Sequence, residues 1–82
     1  MPYAQATVIH NEWGITLRSY KTDVAHINND GWLYVTGLYS MTTRRHITAF
    51  LKEYTDFTFS TAKFLVDKKM KINIHTGEVV DL

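Results

Sequence analysis

The sequence predicts an α+β fold: an antiparallel β-meander packed by one main helix, with a second short helix and a C-terminal hairpin. In the first half, apolar and polar residues alternate between short turns, which is typical of antiparallel strands. In the middle, apolar residues recur at helical spacing. Near the end, strand-like alternation returns around a Thr-Gly turn. The 82 residues are expected to form one domain, residues 1–82, with a modest core.

Four strands are predicted in the N-terminal half, at residues 4–10, 15–20, 24–27 and 32–36. Gly14 closes the first turn because glycine readily adopts a positive φ. Residues 28–31, Asn-Asn-Asp-Gly, are the strongest turn signal, since these residue types tolerate left-handed conformations. Short turns between successive strands favour a meander.

A helix is predicted over residues 42–54. Ile47, Phe50, Leu51 and Tyr54 recur at i, i+3, i+4 and i+7 and form one apolar stripe. An amphipathic helix of this length is marginal alone, so the stripe is expected to be buried against the sheet.

Residues 60–69 are ambiguous between helix and strand. Ser60 or Thr61 is suited to cap a short helix that buries Ala62, Leu65 and Val66. Residues 64–66 also fit a strand, but the helix is favoured. Residues 71–75 and 78–80 flank a Thr-Gly turn and predict the terminal hairpin.

Composition restricts the class of protein. The chain has no cysteine, which excludes a disulfide framework and a thiolate metal site. It shows no signal sequence and no apolar run near the ~20 residues that a membrane span needs. A soluble protein of the cytoplasm is therefore expected, with no membrane partner. The net charge of +1 gives no general indication of nucleic-acid binding.

No motif predicts an enzyme, a cofactor or a metal site. The acidic residues are scattered singly, and no phosphate-binding glycine loop is present. None of the four histidines lies within a helical turn of another, as zinc ligands often do; they are His10, His26, His46 and His75. His46 suits a general base, but it lies on the shoulder of the apolar stripe. It is expected to half-pack there and to bond a neighbouring strand.

The best candidate binding site is the N-terminal end of the predicted helix, formed by Thr42, Thr43, Arg44 and Arg45. Free N–H groups and the helix dipole favour an anion there, and arginine adds charge-assisted bonds. Arginine in a first helical turn is mildly unfavourable, and this local conflict is the argument for a functional role. The alternative is that the threonines only cap the helix and the arginines pair with Glu53, Asp56 or strand acids.

Two further sets of residues are candidates. Trp13, at the tip of the first hairpin, is expected to be exposed and to anchor a partner. A basic cluster near the C-terminus offers nucleic-acid contacts, or else a solvated lysine face; it comprises Lys63, Lys68, Lys69 and Lys71.

Two segments carry a resemblance. Residues 17–25 read LRSYKTDVA, and residues 39–51 read YSMTTRRHITAFL. They resemble a family of short, functionally unassigned proteins from bacteriophages and related mobile elements, with the pattern S-Y-x-T-x-V-A and then Y-S-x-T-T-x-x-H-I-x-x-F-L. The resemblance covers about half of the chain and implies an origin but no activity.

These observations predict a small non-catalytic binding protein of a phage or mobile element. It is expected to act on a host or phage macromolecule, most simply a protein, and to inhibit a bacterial defence system. The first alternative is a nucleic-acid-binding accessory protein, and a weaker one is a protein that sequesters a small anionic ligand or nucleotide. A homodimer through an uncovered edge strand is also compatible with the meander.

Overall fold

The computed structural model describes residues 5–38 and 40–82, and it confirms the α+β fold. Six strands form one antiparallel sheet in sequence order, and two helices lie between the fourth and fifth strands. The elements are β1 Ala6–Asn11, β2 Gly14–Ser19, β3 Thr22–Asn28, β4 Trp32–Val35, α1 Met41–Tyr54, α2 Phe59–Lys68, β5 Met70–Asn73 and β6 Val79–Asp81. The predicted strand start at residue 4 lies outside the described residues. Within the described part of the chain, no helix has the length and apolar character needed to cross a membrane.

The first turn requires glycine. Gly14 has a φ of 133°, and a Cβ placed on it would lie 2.1 Å from the carbonyl oxygen of Ile27 on the neighbouring strand. The turn therefore brings β2 against β3 more closely than any other residue type allows. The register then pairs Val8 with Leu17 and Leu17 with Ala25, which places these apolar residues on one face.

The third strand is longer than predicted. A bulge between Leu17 and Arg18 shifts the register, so that Asp23 pairs with Arg18 and Thr22 pairs with Ser19. These two polar residues carry no apolar signal, and pairing with β2 brings them into the sheet. The bulge also leaves Val24 fully buried.

Helix α1 packs as predicted. Ile47, Phe50 and Leu51 are fully buried in a core cluster that includes residues of the sheet and of α2. Tyr54 is only half-buried, at the margin of this core, because its hydroxyl lies 3.3 Å from Nε2 of His10. The expectation that Tyr54 is buried with the rest of the stripe is thus corrected.

The segment around residues 60–69 forms the helix α2, Phe59–Lys68, and the strand alternative for residues 64–66 is wrong. The helix begins earlier than expected, with Thr58 as N-cap rather than Ser60 or Thr61. Its apolar side buries Ala62 and Leu65 in the core. Lys69 ends it in the left-handed conformation at a φ of 56°.

The C-terminal hairpin is present and joins the main sheet. Trp32 pairs with Asn73 and Leu33 with Ile72, so β5 extends the meander. Asn73 organises the turn, because its Oδ1 accepts hydrogen bonds from the backbone N–H groups of His75 and Thr76.

Candidate functional site

The N-terminus of α1 is capped by Ser40. Its Oγ accepts a hydrogen bond from the N–H of Thr43 at 3.2 Å, and its carbonyl accepts from the N–H of Arg44. The expectation that Thr42 and Thr43 cap the helix is therefore wrong. Ser40 lies three residues before Thr43, and at this spacing an N-cap side chain reaches the N3 amide. Because this amide is already bonded, fewer backbone donors remain for an anion.

A buried hydrogen-bonded network lies directly behind this cap. Ser19 Oγ on β2 is 3.2 Å from Thr43 Oγ1 and 2.7 Å from His46 Nδ1. All three side chains are buried, and His46 also lies against the ring of Tyr20. The predicted bond from His46 to a neighbouring strand is confirmed, but the ring is fully buried rather than half-packed. The network ties α1 to the sheet through mutually bonded polar groups.

This network changes the interpretation of the predicted binding site. Ser19, Ser40, Thr43 and His46 each take part in the cap or in the network, so these side chains hold α1 on the sheet. Thr43, at 4% exposure, is removed from the predicted binding surface.

The exposed side of the same helix end forms a shallow groove against α2, lined by Met41, Arg44, Arg45, Thr48 and Phe59. We call it the α1–α2 groove. The guanidinium carbon of Arg44 lies 5.7 Å from the ring centroid of Phe59, a cation–π arrangement. Met41 is 64% exposed.

The arginines of this groove do not pair with acids. Across residues 5–38 and 40–82, the one ion pair joins Arg18 to Asp23 at 2.7 Å. The expected pairing of Arg44 or Arg45 with Glu53, Asp56 or a strand acid is therefore absent from the described chain. Both guanidinium groups remain available to a partner.

Trp13 lies elsewhere. Its side chain is 69% exposed at the β1–β2 turn, as predicted, and its backbone N–H donates a hydrogen bond to Asn11 Oδ1. The turn is at the start of β2, whereas Ser19, at the end of β2, contacts the α1 network. A six-residue strand spans roughly 20 Å, so Trp13 lies at the opposite end of β2 from the α1 network.

The predicted lysine cluster is divided by the sheet. Lys63 and Lys68 lie on α2, and Lys69 follows it as the C-cap. Lys71 is on β5 beside Ile72, which pairs with the core residue Leu33, so Lys71 points to the opposite face. Its Nζ lies 5.2 Å from the ring centroid of Trp32 and 5.4 Å from that of Tyr34. The four lysines therefore do not form one patch.

Sequence reasoning missed the surface formed by Trp32, Tyr34 and Lys71. Alternation along β4 turns Leu33 and Val35 into the core and therefore Trp32 and Tyr34 outward. That much was readable from the sequence. The partners of the two rings, His26 across the ladder and Lys71 from β5, depend on strand pairing between distant segments.

The histidines are dispersed over the fold. His10 contacts Tyr54, His26 bonds Thr16 at 2.8 Å, and His46 bonds Ser19. In the described ranges, no three side chains among His, Asp and Glu converge as metal ligands would.

Comparison with known proteins identifies the family. No curated protein and no solved structure matches the chain. A family model does match, over residues 2–67, a range that contains the β1–β4 meander, α1 and nearly all of α2. The chain therefore belongs to a family of unknown function, DUF8033.

Proposed function

We propose that this protein is a non-catalytic binding protein that docks on an acidic surface of another protein through the α1–α2 groove. The observation that carries the proposal is the pair Arg44 and Arg45, which have no carboxylate partner in the described chain and stand beside the exposed Met41 and the ring of Phe59. Arginine, methionine and aromatic residues are enriched in protein interfaces. Arginine in particular often contributes much of the binding energy.

The structure offers a physical reason to favour binding over catalysis. Ser19 and His46 are separated by 2.7 Å, as a nucleophile and its base would be. Both are nevertheless buried, at 2% and 0% exposure, and Ser19 also bonds Thr43 within the interior. A substrate has no route to the hydroxyl in this arrangement, so the pair is better explained as a structural connection.

The biological setting of the proposal rests on the sequence resemblance. We infer a phage or mobile-element origin and action in the cytoplasm of a bacterial host. The partner would be a host or phage protein, and inhibition of a defence system is the role we propose. Since β1 is the end strand of the sheet in the described part of the chain, its outer edge also permits a homodimer by sheet extension.

The test compares two double variants of equal charge change. Arg44→Ala with Arg45→Ala removes the groove cations, and Lys63→Ala with Lys68→Ala removes two exposed cations from α2 outside the groove lining. Proteins captured by the wild type in the bacterial host are identified and purified, and their affinities are measured directly. We expect the arginine variant to bind at least about 10-fold more weakly, because interface arginines are frequent hot spots, and the lysine variant to bind like the wild type.

Melting temperatures establish whether the variants are folded. Exposed arginines without ion pairs contribute little to stability, so neither double variant is expected to melt differently. An arginine variant that retains full affinity for every captured protein would show that docking uses another surface.

A further inference from the structure

We propose that the open face of the sheet, the face turned away from α1 and α2, binds single-stranded nucleic acid by stacking bases on Tyr34 and Trp32. This goes beyond docking through the α1–α2 groove, since it concerns a different surface and a different class of partner. The observation that carries it is one lysine placed over two neighbouring outward-facing rings.

The Tyr34 ring is held by neighbouring side chains on the same face of the sheet. Tyr34 pairs with His26 across the ladder, and their ring centroids are 6.1 Å apart. Asn28 Nδ2 donates to the Tyr34 hydroxyl at 3.1 Å, and Thr16 Oγ1 lies 2.8 Å from His26 Nδ1. The Tyr34 ring is therefore held in position before a ligand arrives, which lowers the entropic cost of stacking on it.

The charge on this face suits a phosphate backbone. Lys71 Nζ lies over the rings of Trp32 and Tyr34, and the described chain gives it no carboxylate partner. The carboxylate that the ladder places on the same face, Asp23, is held by Arg18. The hydrogen bond and the charge of Asp23 raise the pKa of Arg18 above its ordinary value, and the two opposite charges of this ion pair offset each other.

Ring spacing favours a single strand over a duplex. Trp32 and Tyr34 are two positions apart on one strand, so their side chains leave the sheet about 7 Å apart. This is roughly twice the 3.4 Å rise of stacked bases in a duplex. An extended single strand can place successive bases at such a distance, and its base faces are free to stack. A protein partner fits less well, because lysine is depleted from the centres of protein interfaces.

The experiment uses Trp32 as its own reporter. Trp13→Phe leaves Trp32 as the one remaining tryptophan of the chain. The protein is titrated with oligothymidylate and oligouridylate of about 12 nucleotides, within the usual site sizes of single-strand binders. Salt is set at about 50 and then 200 mM. We expect saturable quenching of Trp32 fluorescence, weaker binding at the higher salt, and no comparable quenching by a blunt duplex.

Two variants test the residues, and one controls for them. Tyr34→Leu should weaken binding about 10-fold, the loss typical of removing one stacking ring. Lys71→Gln should reduce the slope of log affinity against log salt by about 0.7, the contribution of one single-strand phosphate contact. Phe64→Leu removes a ring that is 44% exposed on α2, and it should leave binding unchanged. If Tyr34→Leu does not fold, the salt dependence of Lys71→Gln tests the proposal, and an unchanged slope contradicts it.

Several outcomes would overturn the proposal. The first is absence of quenching at about 0.1 mM oligonucleotide, the weak end of typical non-specific affinity. The others are equal binding of a duplex and equal losses of affinity for Tyr34→Leu and Phe64→Leu. If sedimentation experiments instead show that the protein self-associates with increasing concentration, and Tyr34→Leu abolishes that self-association, the open face binds a second copy of the chain. The Arg44→Ala, Arg45→Ala variant separates the two proposals, because it should lose the protein partner and keep the oligonucleotide.

Discussion

Three buried polar residues, Ser19, Thr43 and His46, are joined by hydrogen bonds across the boundary between β2 and α1. Ser19 and His46 are 27 positions apart in the chain. Sequence reasoning predicted that His46 would bond a strand, because a ring on the shoulder of an apolar stripe needs a polar partner. It could not identify Ser19, since that depends on where α1 comes to rest on the sheet.

The network provides a prediction at the residue scale. Ser19→Ala removes one partner of two buried groups, so it should lower the free energy of unfolding by about 1–3 kcal/mol. Ser60→Ala is the matched control, because Ser60 is exposed on α2 and should change stability by no more than about 0.5 kcal/mol. Urea unfolding measures both. Equal, small effects would mean that the network contributes nothing to holding α1 in place.

The elements were largely predictable, because their signals are local. Alternation along β4 and the stripe of α1 each follow from backbone periodicity alone. The start of α1 was harder, since Ser40, Thr42 and Thr43 are all hydroxyl residues that can cap a helix. The structure selects Ser40, whose side chain accepts from Thr43. The length of β3 was missed because the pairing of Thr22 and Asp23 with β2 decides it.

The cap gives a prediction at the scale of the element. Ser40→Ala should destabilise the protein by about 1 kcal/mol, the usual effect of losing an N-cap side chain. Thr42→Ala is the control: Thr42 is exposed, its side chain does not cap the helix, and the variant should have almost no effect on stability. Thermal melting of the two variants beside the wild type gives the comparison. A larger loss of stability for Thr42→Ala than for Ser40→Ala would place the N-cap two residues later than the structure does.

At the scale of the whole molecule, the sheet separates two surfaces with different chemistry. One face is covered by α1 and α2 and carries the exposed arginines at the edge of that cover. The other presents Trp32, Tyr34 and Lys71. The sequence placed candidate residues on both, but it grouped Lys71 with Lys63 and Lys68 because they are close in the chain. Alternation along β5 and its pairing with β4 then move Lys71 to the other side.

A single core cluster spans the sheet and both helices, which predicts that the domain unfolds as one unit. Leu51 is fully buried within this cluster, so Leu51→Ala should cost about 2–4 kcal/mol, the usual range for a core leucine. That is a large share of the 5–15 kcal/mol typical of whole domains. Lys52→Ala, at the next and exposed position, should be close to neutral.

Urea titrations followed by tryptophan fluorescence and by far-ultraviolet circular dichroism should give coincident transitions, both shifted equally by Leu51→Ala. A loss below about half a kcal/mol would contradict the docking of α1, since such losses belong to surface positions. Two separate transitions would show that α2 and the C-terminal hairpin unfold independently of the meander.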